Sequence, residues 1–138
     1  MMDTITKEVR SRNMAAIKGK NTKPELFVRR LLYSNGYRYR LHRNNLPGKP
    51  DILLKKHNTV IFVHGCFWHQ HPGCKYASKP KSNIKFWRKK LGLNVKRDGE
   101  NIRKLKEIGY NVLIIWECET DNKNKDELMN KITRVLHG

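Results

Sequence analysis

Acids are scarce in this chain. Twelve Asp and Glu stand against 30 Lys and Arg in 138 residues, a formal net charge of +18. The scarcity is uneven as well. Residues 1–97 hold 23 basic residues and only four acids, Asp3, Glu8, Glu25 and Asp51, an excess of +19, whereas residues 98–138 hold seven basic residues and eight acids. Solubility alone does not ask for such a bias, because added acids serve it better than added bases. Neutralising a polyanion does, so nucleic acid is the expected partner. An anionic membrane face is the weaker reading, since no strongly amphipathic basic helix with exposed aromatics stands out.

Long apolar runs are missing too. The longest, Val60 to Val63 and Val112 to Trp116, fall far short of the ~18 residues of a membrane-spanning helix. The first residues, with Asp3, Lys7, Glu8 and Arg10, lack the apolar core of a signal peptide, which leaves export by that route unsupported. Cysteine is nearly absent: three residues, an odd number, make no disulfide framework, and a reducing cytoplasm is the expected home. What is present suffices for one core, with 38% apolar residues and 12 aromatics. Disorder throughout is excluded, and the length fits a single domain, residues 1–138.

Residues 1–21 are polar and carry Arg10, Arg12, Lys18 and Lys20; they read as a basic N-terminal arm. Thr22, Pro24 and Glu25 form a capping-box start to a helix with Leu26, Phe27, Leu31 and Leu32 on one stripe, stopped at Gly36. Tyr37 to Leu41 alternates as a strand with one wet face, Asp51 to Leu54 is a short strand, and Thr59 to His64 is a strand buried on both faces. Two helices are expected over Ile84 to Leu93 and Val95 to Ile108, separated near Gly92 and Asn94. A buried strand follows over Asn111 to Glu117, then an amphipathic helix over Asp126 to Leu136. Without internal repeats or a long linker, this order describes one α/β sheet domain with helices packed on it.

Residues 65–80 are too dense in Gly, Pro, Cys and His for a regular element. Cys66, His71 and Cys74 are spaced C-x4-H-x2-C, and Cys118 lies just past the last strand. Three thiolates and one imidazole complete a tetrahedral Zn²⁺ set, and four protein ligands make a structural site, not a catalytic one. The alternative is three unrelated small apolar cysteines with a solvated His. His64 and His69 remain outside that set, with His69 held between two of its ligands.

Phosphodiester cleavage by so basic a chain needs Mg²⁺ beside the phosphate, held by carboxylate oxygens. Asp51, at the start of a strand beside the one that ends at His64, could share a metal with a carbonyl of that neighbour, or be a turn acid. Glu25 reads first as the helix-capping acid, and Asp98 as a surface ion-pair partner of Lys96, Arg97 and Arg103. Phe67 and Trp68 could stack on bases or wedge into a base step, or pack over the loop. Trp87, Lys90 and Asn94 share one helical face, which could touch base edges or be bland surface.

Taken together, Pro50-Asp51, the block Val60 to His69 running on to His71 and Cys74, Phe86-Trp87, Asn94-Val95, Arg97-Asp98, Arg10-Ser11, Asn13-Met14 and Trp116-Glu117-Cys118 resemble the very short patch repair (Vsr) DNA mismatch endonucleases. The resemblance covers essentially the whole chain. It implies a restriction-endonuclease-like fold, a central mixed β-sheet flanked by helices with a zinc-stapled loop, and nicking of duplex DNA 5′ of the thymine in a T·G mismatch left by 5-methylcytosine deamination. It further implies that Asp51 and the backbone carbonyl of Val63 hold Mg²⁺ and that His69 is the general base. Glu25, His64 and Asp98 would support the site, while Cys66, His71, Cys74 and Cys118 would bind structural zinc. Met14, Phe67 and Trp68 would wedge beside the mismatch, Lys90 and Asn94 would read the mispaired bases, and Trp87, Arg10 and Arg12 would contact DNA.

This chain departs from the family pattern where many relatives carry Thr in place of Val63, and where Pro72-Gly73 lengthens the spacing between two zinc ligands. Implied partners are a cytosine-5 methyltransferase acting at the same sites and mismatch-repair proteins; a one-strand nick needs only a monomer. Two other readings of the same residues are a non-catalytic zinc-stapled nucleic-acid-binding protein and a restriction or homing nuclease acting on matched DNA.

Overall fold

A computed structural model describes residues 22–78 and 80–137; the arm, with Arg10, Arg12 and Met14, lies outside the described residues. Helix α1 spans Lys23–Ser34, with Pro24 in its first turn and the Thr22 hydroxyl accepting the Glu25 N–H at 3.3 Å. Val28, Leu31 and Leu32 are its buried stripe, and Glu25 is buried with them at 1% exposure. A carboxylate on the apolar face of a helix is costly unless it is partnered. The expected strand over Tyr37 to Leu41 contracts to β1, Arg40–Leu41, because β2 is only Ile52–Leu54 and offers two pairing positions. Tyr37 and Tyr39 instead pack on the core from the link before it.

Strand β3, Thr59–His64, pairs antiparallel with β2, and β4, Asn111–Trp116, runs parallel beside β3, giving a mixed sheet in the order β1-β2-β3-β4. The parallel crossover from β3 to β4 is made by α2, which is one helix over Ile84–Ile108 and not two. Gly92 and Asn94 do not break it. Glycine in a helix costs about 1 kcal/mol against Ala but forfeits no hydrogen bond, and no proline interrupts the run. The stop comes at Gly109, at φ 113°, whose N–H donates to the Leu105 and Lys106 carbonyls while Tyr110 N–H donates to Leu105 as well. β4 ends one residue earlier than expected, since Glu117 opens a 3₁₀ turn over Glu117–Glu119 that carries Cys118. Helix α3, Lys125–His137, follows, and Lys131 ties it to the end of β4 through the Ile114 carbonyl at 2.8 Å and Glu119 at 2.9 Å.

Alternation along the strands divides the core in two. Ile52, Leu54, Ile61, Leu113 and Ile115 face α1 and α3, meeting Val28, Leu31, Leu32, Leu128 and Ile132. Leu53, Val60 and Phe62 face the other way, towards Leu105 of α2. Most of α2 stays outside any core; only Leu91 and Leu105 are buried. Its exposed length, with one end of the sheet, frames the site. Among the described residues no helix is long and apolar enough to cross a membrane.

Candidate active site and metal centre

A cleft of about 590 Å³ opens between α2, the β1–β2 turn and the ends of β2 and β3. Its far wall depends on one glycine. Gly48, at φ 74°, brings the turn against α2 so closely that a Cβ there would lie 2.9 Å from Asn101 Cβ. Asp51 sits on the floor at the entry to β2, its N–H donating to the Ile61 carbonyl and its Oδ2 accepting the Val63 N–H at 2.8 Å. The expected adjacency of Asp51 and Val63 is present. Burial pushes the Asp51 carboxyl above the usual range, opposed by the Val63 hydrogen bond and by His42, His69 and Arg29. A desolvated carboxylate of this kind gains from a cation.

Glu25 resolves its two readings in an unexpected way. Its backbone supplies the capped N–H, while its carboxylate turns inward to Arg29 and to His42 Nε2, the latter at 2.9 Å. His42 was not among the sequence candidates. It follows β1 at φ 47°, a left-handed conformation that costs a non-glycine residue roughly 1–2 kcal/mol. The signal that finds it is register: with Leu41 opposite Ile52, His42 falls opposite Asp51, and its N–H donates to the Asp51 carbonyl at 3.0 Å. Ligand atoms of Glu25, His42 and Asp51 lie within 4.8 Å of one another.

On the α2 side, His69 Nδ1 and Asp98 Oδ2 are 2.6 Å apart, so Asp98 takes the imidazole as its partner, and Arg103 pairs with Glu107 instead. His64 stacks face to face on His69, 3.7 Å between ring centres and 7° apart in plane. Burial and the neighbouring His69 hold His64 down at about 4, with Asp98 opposing; His64 is therefore neutral at pH 7. The uninterrupted α2 is what delivers this geometry. Lys90, Asn94, Asp98 and Asn101 recur at four- and three-residue spacing along its cleft-facing side, a row that a break at Gly92 would disperse, with Trp87 one turn earlier on the same helix.

The Cys/His loop closes behind the cleft. Cys66, His71, Cys74 and Cys118 place four ligand atoms within 4.8 Å of one another, with His71 Nδ1 at 3.7 Å from Cys66 Sγ and 3.4 Å from Cys118 Sγ. Burial pushes the Cys66 thiol up to about 12 and raises Cys118 too, so without a cation both hold their protons. A bound metal would reverse that, and the donor set fits a closed tetrahedral site. Trp116 stacks on His71 at 4.2 Å, and Glu117, to which the sequence assigns no role of its own, accepts the Cys66 N–H at 3.1 Å. The loop N–H groups of His69 and His71 donate to Gly65 and Cys66, so whatever fixes the cysteines also fixes His69.

The family model for the DNA mismatch endonuclease Vsr matches residues 2–75. The chain belongs to the Vsr family. It is 44% identical over 137 residues, 99% of this chain and 97% of the relative, to the type II nicking enzyme V.NmeAIP of Neisseria meningitidis. It is 41% identical over 125 residues, 91% of this chain and 80% of the relative, to the DNA mismatch endonuclease Vsr of Escherichia coli K12. The type II nicking enzyme V.XorIIP of Xanthomonas oryzae is 45% identical over 119 residues, 86% of this chain and 87% of the relative. Membership makes this protein a DNA endonuclease, a hydrolase.

For a Vsr family member, the rim of the cleft is as informative as its floor. Phe67, Trp68 and Trp87 form one half-buried cluster, with ring centres 5.1 to 6.0 Å apart and mostly edge-on. The three rings thus pack on one another, and Phe67 and Trp68 also line the cleft. Lys90 lines the cleft beside them, and the Asn94 amide donates to the Trp68 carbonyl at 3.2 Å, tying the aromatic loop to α2.

Proposed function

We propose that this chain nicks one strand of duplex DNA on the 5′ side of the thymine in a T·G mismatch. The reading rests most on one observation: the His69–Asp98 pair and the Asp51 carboxylate share one cleft, 2.6 Å separating the first two and His69 close enough to bias the titration of Asp51. Nδ1–H of His69 donating to Asp98 fixes the tautomer and leaves Nε2 with a lone pair to take the proton of the attacking water. General-base assistance of this kind contributes roughly 100- to 10,000-fold. His64, neutral and stacked on His69, holds the ring plane. Asp51 and the Val63 carbonyl would hold Mg²⁺, with Glu25 in support, and exchange of Thr for Val at 63 leaves a carbonyl donor unaltered. Mg²⁺ when bound supplies charge neutralisation at the phosphate and at the leaving oxygen.

Zinc held by Cys66, His71, Cys74 and Cys118 would set the position of His69 through the loop backbone. Phe67 and Trp68, with Met14 from the arm, would enter the base stack beside the mismatch, Lys90 and Asn94 would meet the mispaired edges, and Trp87, Arg10 and Arg12 would contact the duplex. The basic excess of residues 1–97 would grip the backbone. In the cell, a cytosine-5 methyltransferase would create the sites and repair proteins would process the nick, in the cytoplasm and by a monomer.

The test is nicking of a T·G duplex and its matched counterpart, with Mg²⁺ and with EDTA. Mg²⁺-dependent cleavage of one strand, only in the mismatched duplex, is expected. Equal cleavage of both would favour a nuclease for matched DNA, and binding with no cleavage would overturn the assignment.

A further inference from the structure

We infer that His42 is a positioning residue that couples the two cleft carboxylates, Glu25 and Asp51, and thereby sets the affinity of the divalent-cation site; this rests on the reading of Asp51 as the cation ligand. Its backbone N–H holds the main chain of Asp51 at 3.0 Å, and its ring holds the side chain of Glu25 at 2.9 Å. One residue thus joins the floor of the hairpin to the first turn of α1, two elements with no sequence continuity at that point.

Tautomer logic gives the ring a definite role. Nε2 lies 2.9 Å from Glu25 Oε2 and 3.3 Å from the Arg29 guanidinium. One nitrogen cannot donate to the carboxylate and accept from the guanidinium together, and the shorter contact assigns Nε2–H to Glu25. Arg29 reaches the same oxygen, Oε2, so two donors from different elements converge on one atom and fix the rotamer of a carboxylate that is 1% exposed. The backbone speaks for the ring as well. At φ 47° glycine or asparagine would be the unstrained choice, and a histidine there is explained by what its side chain reaches.

Outer partners that orient metal-holding carboxylates are typically worth about 10- to 100-fold in metal affinity. The experiment is calorimetric titration of Mn²⁺, which suits the same oxygen donors as Mg²⁺, into the zinc-loaded protein without DNA, for wild type, His42→Gln, His42→Ala, His42→Gly and Asp51→Ala. Gln carries an N–H donor at the reach of Nε2, whereas Gly relaxes the backbone and removes the ring. His42→Gly and His42→Ala are expected to bind Mn²⁺ about tenfold or more weakly, with His42→Gln close to wild type and His42→Gly at least as thermally stable as His42→Ala.

Wild-type affinity in His42→Gly overturns the inference, and so does an affinity in His42→Gln as low as in His42→Gly. If His42→Ala fails to fold, the Gln and Gly pair decides alone. Undiminished Mn²⁺ binding by Asp51→Ala is a separate failure, that of the Asp51 reading itself.

Discussion

The two faces of the sheet are built to different ends. Towards α1 and α3 lie ten buried apolar residues from two helices and three strands, closed by the Lys131 tie to β4. Towards α2 lie four, with Leu46, Tyr110, Val112 and Ile114 packed against them only part-buried, and the cleft with its imidazoles and carboxylates opens beside them. Core packing is concentrated on one side of a shared sheet and the titratable cleft residues on the other. The exception instructs: Glu25 stands on the apolar face of α1 yet reaches the cleft, at the cost of burying a carboxylate that Arg29 and His42 must satisfy.

The largest expected effect lies on the cleft face. His69→Ala should lower the single-turnover nicking rate by about 100-fold or more, as loss of a general base does, with a circular-dichroism melting curve like that of the wild type; a rate within a few-fold would remove His69 from the chemistry. Cys118→Ser should come next. Zinc measured by atomic absorption should fall well below one per chain and the melting temperature should drop, because three ligands hold zinc poorly and the loop loses its anchor to the 3₁₀ turn after β4. Unchanged stoichiometry would dismiss the fourth ligand.

Paired core truncations probe the asymmetry itself. Ile132→Ala and Leu105→Ala, both of fully buried residues, should each cost about 2–5 kcal/mol in urea unfolding. Only Leu105→Ala should also slow nicking by the folded fraction, since Leu105 seats the helix that carries Asp98. Equal rates in both would mean that α2 is held by something other than its small core.

Acidity should expose His64. Its titration is depressed in the fold to about 4 from 6.5, so it contributes stability that is fully present above about 6.5 and lost as pH falls through about 4, on the order of 3 kcal/mol at most. A flat stability profile between those values, or one that His64→Gln does not alter, would contradict the burial of a neutral ring. The smallest effect belongs to Gly92→Ala. No atom lies within 4 Å of the added Cβ, so helix propensity alone should raise stability by about 0.5–1 kcal/mol, read as a higher melting temperature.

The Cys/His set, the buried β3, Asp51 beside the strand that ends at His64, and His69 apart from the Cys/His set were legible in the sequence, because spacing and strand alternation carry them; the pairing of Asp51 with Val63 itself was implied by the family resemblance. A Gly and an Asn two residues apart look like punctuation and predict two helices over what is α2. The three- and four-residue spacing of Trp87, Lys90 and Asn94 across that point argues for continuity, but the cleft that Lys90, Asn94, Asp98 and Asn101 line exists only in three dimensions. His42 and Glu117 were hidden for a related cause. His42 acts through register and lies in no pattern of its own, and Glu117, though inside the Trp116-Glu117-Cys118 motif, acts on a loop backbone that the motif does not specify. Glu25 was half legible: its cap was written in the sequence, but the direction of its carboxylate depends on where His42 arrives.

Asp51→Ala bears most directly on the claim that reactivity resides in the α2-side cleft, when nicking of a T·G duplex and binding to it are measured on the same preparation. Loss of nicking with duplex affinity within a few-fold of wild type is the predicted result. Near-normal nicking by Asp51→Ala would contradict it.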